Sequence, residues 1–333
     1  MRGLISNTRN RSVVLLAFLI CANGLFWAMT WASAQHVALL LSAGWLAYGF
    51  GLRHAVDADH ISAIDNTTRR LMERGKRPTG VGFYFSLGHS TVVILLCAAL
   101  SLSTAYVEKH MPQWEKLGGI VGGSISTVFL FAIGIINLVV LWDLYRAYRQ
   151  VRRGDVPGAV AHEPALGGLM GRFLAPLLAL VQHSWQMYFI GFLFGLGFDT
   201  ATEVGILALS AHSSHGGVSF WAIMLLPLLF TAGMCLIDTL NGILMLRAYG
   251  WAFVRPVRRL YYNMSITAFS VLVAFVVGGR ELVQLFSDHL PTHSVAMWAA
   301  NLNFDNVGYA IIGVLVVFWL SAALRERQRG VVG

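Results

Sequence analysis

The chain has 333 residues, 56% of them hydrophobic and only 12% charged, with a formal net charge of +8. That charged share is about half of what a soluble domain carries, and the apolar residues fall into long runs. The pattern argues against an aqueous globular protein and a nucleic-acid partner, and makes the positive charge a topology signal.

Hydropathy predicts an all-α integral membrane protein with eight transmembrane helices, over 13–33, 37–60, 80–105, 119–144, 186–211, 220–246, 261–286 and 307–324. Each is long enough for a hydrocarbon core of about 30 Å at ~1.5 Å per residue. No soluble domain fits between them, so 1–333 reads as a single transmembrane domain. The first run, Val13 to Trp31, ends near Ala32-Ser33-Ala34 and so imitates a secretory signal. Its apolar core exceeds the roughly 7–15 residues of such signals, and a retained first helix is expected. Cys21, Cys97 and Cys235 all fall within predicted spans, which suggests packing rather than a disulfide framework.

The connection over 145–172 holds Gly154, Pro157, Gly158, Pro164, Gly167 and Gly168 and reads as a flexible cytoplasmic loop between the fourth and fifth helices. With the N-terminus inside, twenty Lys and Arg residues lie on cytoplasmic stretches, including Arg69 and Arg70 after the second span, against three outside. The positive-inside rule then puts both termini in the cytoplasm.

The second span carries the most informative stretch, Arg53-His54-Ala55-Val56-Asp57-Ala58-Asp59-His60-Ile61. Ionisable groups at membrane depth cost several kcal/mol each and mark ion or substrate paths. On a regular helix His54, Asp57 and His60 fall within an arc of about 120°. Imidazole and carboxylate donors together suit nickel, cobalt, zinc or manganese better than magnesium or calcium. Arg53 lies four residues before Asp57, so a structural Arg53–Asp57 ion pair competes with ligation. Asp59 points away from the shared face and joins it only if the backbone unwinds, as helices do at transporter midplanes.

Further polar intrusions follow. His89 sits midway along the third span, Asp199 and Glu203 are one turn apart on the fifth, Asp238 and Asn241 one turn apart on the sixth, and Asn23 polarises the first. Three carboxylates on two further helices point to one shared polar path.

These residues resemble the nickel/cobalt transporter (NiCoT) family. Arg53 to Ile61 is similar to its second-helix signature, Gly88-His89-Ser90-Thr91-Val92-Val93 to its third-helix motif, Leu196-Gly197-Phe198-Asp199-Thr200-Ala201-Thr202-Glu203 to its fifth, and Gly233-Met234-Cys235-Leu236-Ile237-Asp238-Thr239 to its sixth. The resemblance covers essentially the whole chain. It implies a single-component permease of a bacterial-type cytoplasmic (inner) membrane for high-affinity Ni²⁺ or Co²⁺ uptake. His54, Asp57, Asp59, His60 and His89 would be the metal residues, and Asp199, Glu203, Asp238, Asn241 and Asn23 the permeation path. The match departs at Asn241, where the family leads one to expect a second acidic residue.

No Gly-x-x-x-x-Gly-Lys-Ser/Thr loop is present, so the chain supplies no ATPase of its own. The expectation is a secondary transporter driven by membrane potential. It needs no ATPase subunit, no cofactor besides the transported Ni²⁺ or Co²⁺, and no partner beyond membrane lipid, and it implies no particular oligomeric state. Alternatives are a nickel/cobalt efflux permease, which would favour a His-rich loop where only His162 occurs, and an intramembrane metal- or haem-dependent enzyme. The metallohydrolase motif His-Glu-x-x-His is absent, whereas His89 with His183 would be the axial pair for a haem.

Overall fold

The computed structural model describes residues 2–35, 39–102, 104–152, 181–197, 219–252 and 256–286, with 308–311, 313–314 and 317 near the C-terminus. The described residues form helices and connecting turns without strands. In chain order these are α1 (Arg2–Ala34), α2 (Leu39–His54), α3 (Ala58–Glu73), α4 (Val81–Leu102), α5 (Thr104–Arg152), a 3-10 turn (Ser184–Gln186), α6 (Met187–Gly195), α7 (Phe220–Ala252) and α8 (Pro256–Leu285).

Five stretches are long and apolar enough to cross a bilayer: Asn10–Ala34, Val81–Ala99, Lys116–Arg146, Phe220–Arg247 and Thr267–Leu285. They correspond to the spans expected over 13–33, 80–105, 119–144, 220–246 and 261–286. The span expected over 186–211 is represented by α6 as far as Gly195, and the one over 307–324 is helical where described. α5 runs unbroken for 49 residues, roughly 70 Å at the α-helical rise. It therefore takes in residues 145–152 of the expected cytoplasmic loop, because no glycine or proline occurs between Gly134 and Gly154. Arg146 also packs over the Trp142 ring at 5.3 Å. The rest of that loop lies outside the described residues.

The clearest departure from expectation is the second span. The helix expected over 37–60 stops at His54 and restarts at Ala58. Ala55 N still donates to Gly51 O at 3.2 Å, but Val56 N and Asp57 N reach back only three residues, to Arg53 O at 3.0 Å and His54 O at 2.9 Å. Asp57 then takes an extended conformation (φ −65°, ψ 147°), and its carboxylate accepts from Ala58 N at 2.8 Å. An aspartate in that geometry is a strong helix N-cap, and here it begins a new helix inside the bundle.

α3 is also not the loop that its polarity suggests. Ser62, Asp65, Asn66, Thr67, Thr68 and Arg69 are all buried. Asp65, Asn66 and Arg69 find partners on other helices, as burial favours, whereas the Thr67 and Thr68 hydroxyls have no hydrogen-bond partner. Asn137 on α5 donates to Asn66 Oδ1, Ser270 on α8 donates to Asp65 Oδ2 at 2.9 Å, and Arg69 donates to Thr267 on α8. Arg69, counted above as a cytoplasmic loop charge, is thus a packed residue.

α4 is held between α6 and α7 by direct backbone contact. A Cβ built at Gly88 would lie 1.9 Å from Tyr188 O, and one at Gly191 would lie 1.9 Å from Phe85 O, so each helix presses its glycine onto the other's carbonyl. A Cβ at Gly82 would likewise lie 2.0 Å from Asp238 O on α7, and one at Gly51 on α2 would lie 2.2 Å from Phe230 O. Close approach through small residues is how membrane helices gain packing energy without a hydrophobic drive. Gly88→Ala should therefore destabilise the bundle by about 1–3 kcal/mol, the usual cost of overpacking. Gly49→Ala, whose Cβ meets nothing within 4 Å, serves as the neutral control. Thermal unfolding of the detergent-solubilised protein checks this, and equal melting of the two variants would contradict the packing described.

Candidate metal site

The break between α2 and α3 lets two histidines face each other that a continuous helix would have stacked along one side. His54 ends α2, His60 lies in the first turn of α3, and His89 projects from the middle of α4. Each of the three offers a ring nitrogen, and these nitrogens lie within 4.8 Å of one another. The ring centroids are 4.6 Å apart for His54 and His60, and 4.8 Å apart for each of them with His89. His60 is fully buried and His89 nearly so.

Within the trio, His54 Nε2 and His89 Nε2 are 3.0 Å apart. His60 is anchored from behind: its Nδ1 is 3.1 Å from Asp238 Oδ2 on α7, and both side chains are completely buried. An ionised carboxylate only accepts, so Nδ1 carries a proton and Nε2 is the nitrogen left free of Asp238. Nε2 has no hydrogen-bond partner, nor has His89 Nδ1. Asp238 is fixed in turn by Ser86 of α4, whose hydroxyl lies 2.5 Å from the same Oδ2. This is the outer-shell arrangement that sets tautomer and ring orientation in histidine metal sites. Phe85 closes one side, 4.8 Å from His60 edge to face.

The remaining residues singled out from the sequence are placed as follows. Asp57 caps α3 and is half exposed, with its other oxygen 3.9 Å from His54 Nδ1. Asp59 Oδ1 accepts from His60 N at 2.8 Å. Both aspartates thus brace the break and stand outside the imidazole trio. The one-turn helical spacing assumed for Arg53 and Asp57 is interrupted, because α2 ends between them. Asn23 donates to Leu19 O at 2.8 Å and to Ala232 O at 3.3 Å, tying α1 to α7. Asn241 is buried one turn beyond Asp238, with neither amide atom partnered. Asp199 and Glu203 lie outside the described residues. His183, the other half of the conceivable haem pair, is exposed before α6, whereas His89 is buried among the other imidazoles. Ser86 was not legible as a site residue, since nothing in the sequence joins it to a carboxylate 152 positions away.

A family model described as high-affinity nickel-transport protein matches residues 40–325. The chain belongs to the high-affinity nickel-transport (NicO) family. A high-affinity nickel transport protein of Cupriavidus necator is 44% identical over 326 residues, covering 96% of this chain and 93% of that protein. A nickel transporter, NicT, of Mycobacterium tuberculosis is 45% identical over 290 residues, covering 85% and 78%. A cobalt transport protein, NhlF, of Rhodococcus rhodochrous is 40% identical over 291 residues, covering 86% and 82%. No solved structure matches this NicO-family chain.

The hydrogen-bond geometry can be checked without transport. Solid-state NMR of ¹⁵N-histidine-labelled protein should show His60 with its proton on Nδ1. Asp238→Leu, which removes the acceptor, should shift it to the Nε2–H form. An unchanged tautomer in that variant would disprove the anchoring.

Proposed function

We propose that this chain takes up Ni²⁺ or Co²⁺ across a cytoplasmic (inner) membrane as a single-component permease, with His54, His60 and His89 holding the cation at mid-membrane. The relatives' names supply the substrate class: nickel for those from Cupriavidus and Mycobacterium, cobalt for the one from Rhodococcus. The observation that carries the residue assignment is the convergence of three imidazoles at a helix break. Two nitrogens bound to one ion at about 2.1 Å lie about 3.0 Å apart at a right angle, and the His54–His89 separation of 3.0 Å fits that chord. Imidazole nitrogens favour first-row divalent metals, whereas Mg²⁺ and Ca²⁺ prefer all-oxygen shells.

In this reading Asp238 orients His60 and offsets one of the two incoming charges. The carbonyl end of α2 adds a favourable partial negative charge, while Asp57 and Asp59 counter the partial positive charge of the α3 N-terminus. Asp199, Glu203 and Asn241 continue the polar path, and Asn23 belongs to the α1–α7 seam. The full topology is eight spans with both termini cytoplasmic. A divalent cation entering a negative interior gains about 4.6 kcal/mol per 100 mV. That corresponds to more than about three decades of accumulation, so the potential suffices to drive uptake without an ATPase subunit. The chemistry is transport rather than catalysis, as it is for the named relatives.

His60→Ala and His89→Ala should each lower Ni²⁺ uptake at least tenfold, roughly the loss of one ligand contact, while the protein still reaches the membrane. Wild-type uptake by both variants would remove the trio from the path. In sealed liposomes, an inside-negative potential should drive accumulation without ATP and a reversed potential should suppress it. Flux that appeared only after an ATPase partner was added would refute the electrical drive.

A further inference from the structure

The break between α2 and α3 is met from outside by one more element, the helical stretch near the C-terminus. There Gly308 and Ile311 are buried, whereas Tyr309, Gly313 and Val317 are exposed. Positions 308 and 311 are one turn apart and share a face, which this stretch turns to the bundle. Ile311 shares a core cluster with Val56, Ala58 and Ile61, residues of the break and of the first turn of α3. Gly308 meets the backbone itself: a Cβ built there would lie 1.5 Å from Val56 O, 2.7 Å from Val56 C and 3.2 Å from Ile61 Cδ1. Among the described residues no other glycine comes so close to a carbonyl.

The carbonyl that Gly308 meets belongs to the interrupted part of the helix. In a continuous helix Val56 O would accept from His60 N, but His60 N donates to Asp59 Oδ1 at 2.8 Å. Val56 N and Asp57 N, for their part, reach back only three residues. Residues 55–57 are therefore a short link, poor in helical bonds of its own, between His54 and His60. α2 is held to α7 at Gly51, and α3 is held to α7 at Asp238. The link between those two contacts is held where Val56 O rests on Gly308. A backbone carbonyl cannot swing away from an added methyl as a side chain does, so only glycine admits this approach and any larger residue shifts the link.

We infer that Gly308 is a positioning residue for the imidazole trio: by admitting the Val56 carbonyl it holds the break in the bend that sets the His54 and His60 rings 4.6 Å apart. The inference deepens the uptake reading above and rests on it for the metal. His60 is tethered to Asp238 and His89 is carried by α4, so the ring that a displaced link moves is His54, the last residue of α2. An ion at the trio then loses one nitrogen and keeps two. The consequence falls on the affinity of each transporter and leaves the number of folded transporters unchanged.

The test measures Ni²⁺ influx and metal-free hydrogen–deuterium exchange on the full chain in proteoliposomes. Gly308→Ala should raise KM for Ni²⁺ by about tenfold, the usual cost of disturbing what orients a metal ligand, at an unchanged maximal rate per inserted protein. A merely structural role would lower the maximal rate and leave KM where it is. Exchange should quicken at amides 55–60 and keep its wild-type rate in α4. Gly313→Ala, on the same stretch but with nothing within 4 Å of its Cβ, should match wild type in both measurements. Should Gly308→Ala fail to reach the membrane, Ile311→Ala, which keeps the glycine but removes the apolar anchor one turn on, should show the same pair of changes. Wild-type KM, or wild-type exchange at the break, in the variant that inserts would overturn the assignment. If KM stays put while His89→Ala is inactive, the positioning role falls and the uptake reading stands; an active His89→Ala would bring down both.

Discussion

The contact between His60 and Asp238 joins α3 to α7 across 178 positions of sequence, and the geometry at the centre of the bundle follows from it. Both side chains are wholly buried, so neither can exchange its partner for water. Breaking one side of such a pair strands the other in a medium of low polarity, at a cost of several kcal/mol. The contact therefore fixes the azimuth of α3 about its axis. That azimuth sends Asn66, Asp65 and Arg69 toward α5 and α8 and leaves Ile61 and Ile64 in the apolar core. The same contact fixes which nitrogen of His60 faces His54 and His89.

The break at Ala55–Asp57 follows from the same constraint. A continuous helix would keep His54 and His60 on one surface, about 9 Å apart along the axis. Ending α2 and recapping α3 on Asp57 folds the second ring back toward the first, to a centroid separation of 4.6 Å. Asp57 and Asp59 are both consumed in part by backbone amides, at Ala58 and His60. The aspartates therefore act on the imidazole trio through the shape of the chain as well as through their charge.

Much of this was legible in the sequence because charge at membrane depth is conspicuous. His54, His60 and His89 stand out against apolar neighbours, and the five long spans follow from hydropathy alone. The break was harder to see, since apolar residues continue to Ala55 and Val56. Its signal was the Asp57 cap followed by Asp59 in the first turn, a helix-start pattern placed within what reads as one span. α3 was illegible as a packed element because hydropathy treats Asp65, Asn66 and Arg69 as solvated. Their partners Asn137, Thr267 and Ser270 lie on helices up to 205 positions away, and pairings at such distances leave no local trace. Ser86 was missed for the same reason.

The glycine contacts carry a mechanical consequence. A seam built of side chains has slack, because rotamers can adjust as one helix slides past another. A carbonyl pressed against a Cα has none. α4 is in such contact with α6 and α7, and α2 with α7, through Gly88, Gly191, Gly82 and Gly51. These four helices therefore move as one rigid body that carries His54, His89 and Asp238 with it. α8 is different: Gly278 meets only the side chains of Leu130 and Phe131, and Gly279 meets nothing within 4 Å. Where α8 packs on α5 the glycines meet side chains instead, whose rotamers leave the slack that the glycine-to-carbonyl seams lack.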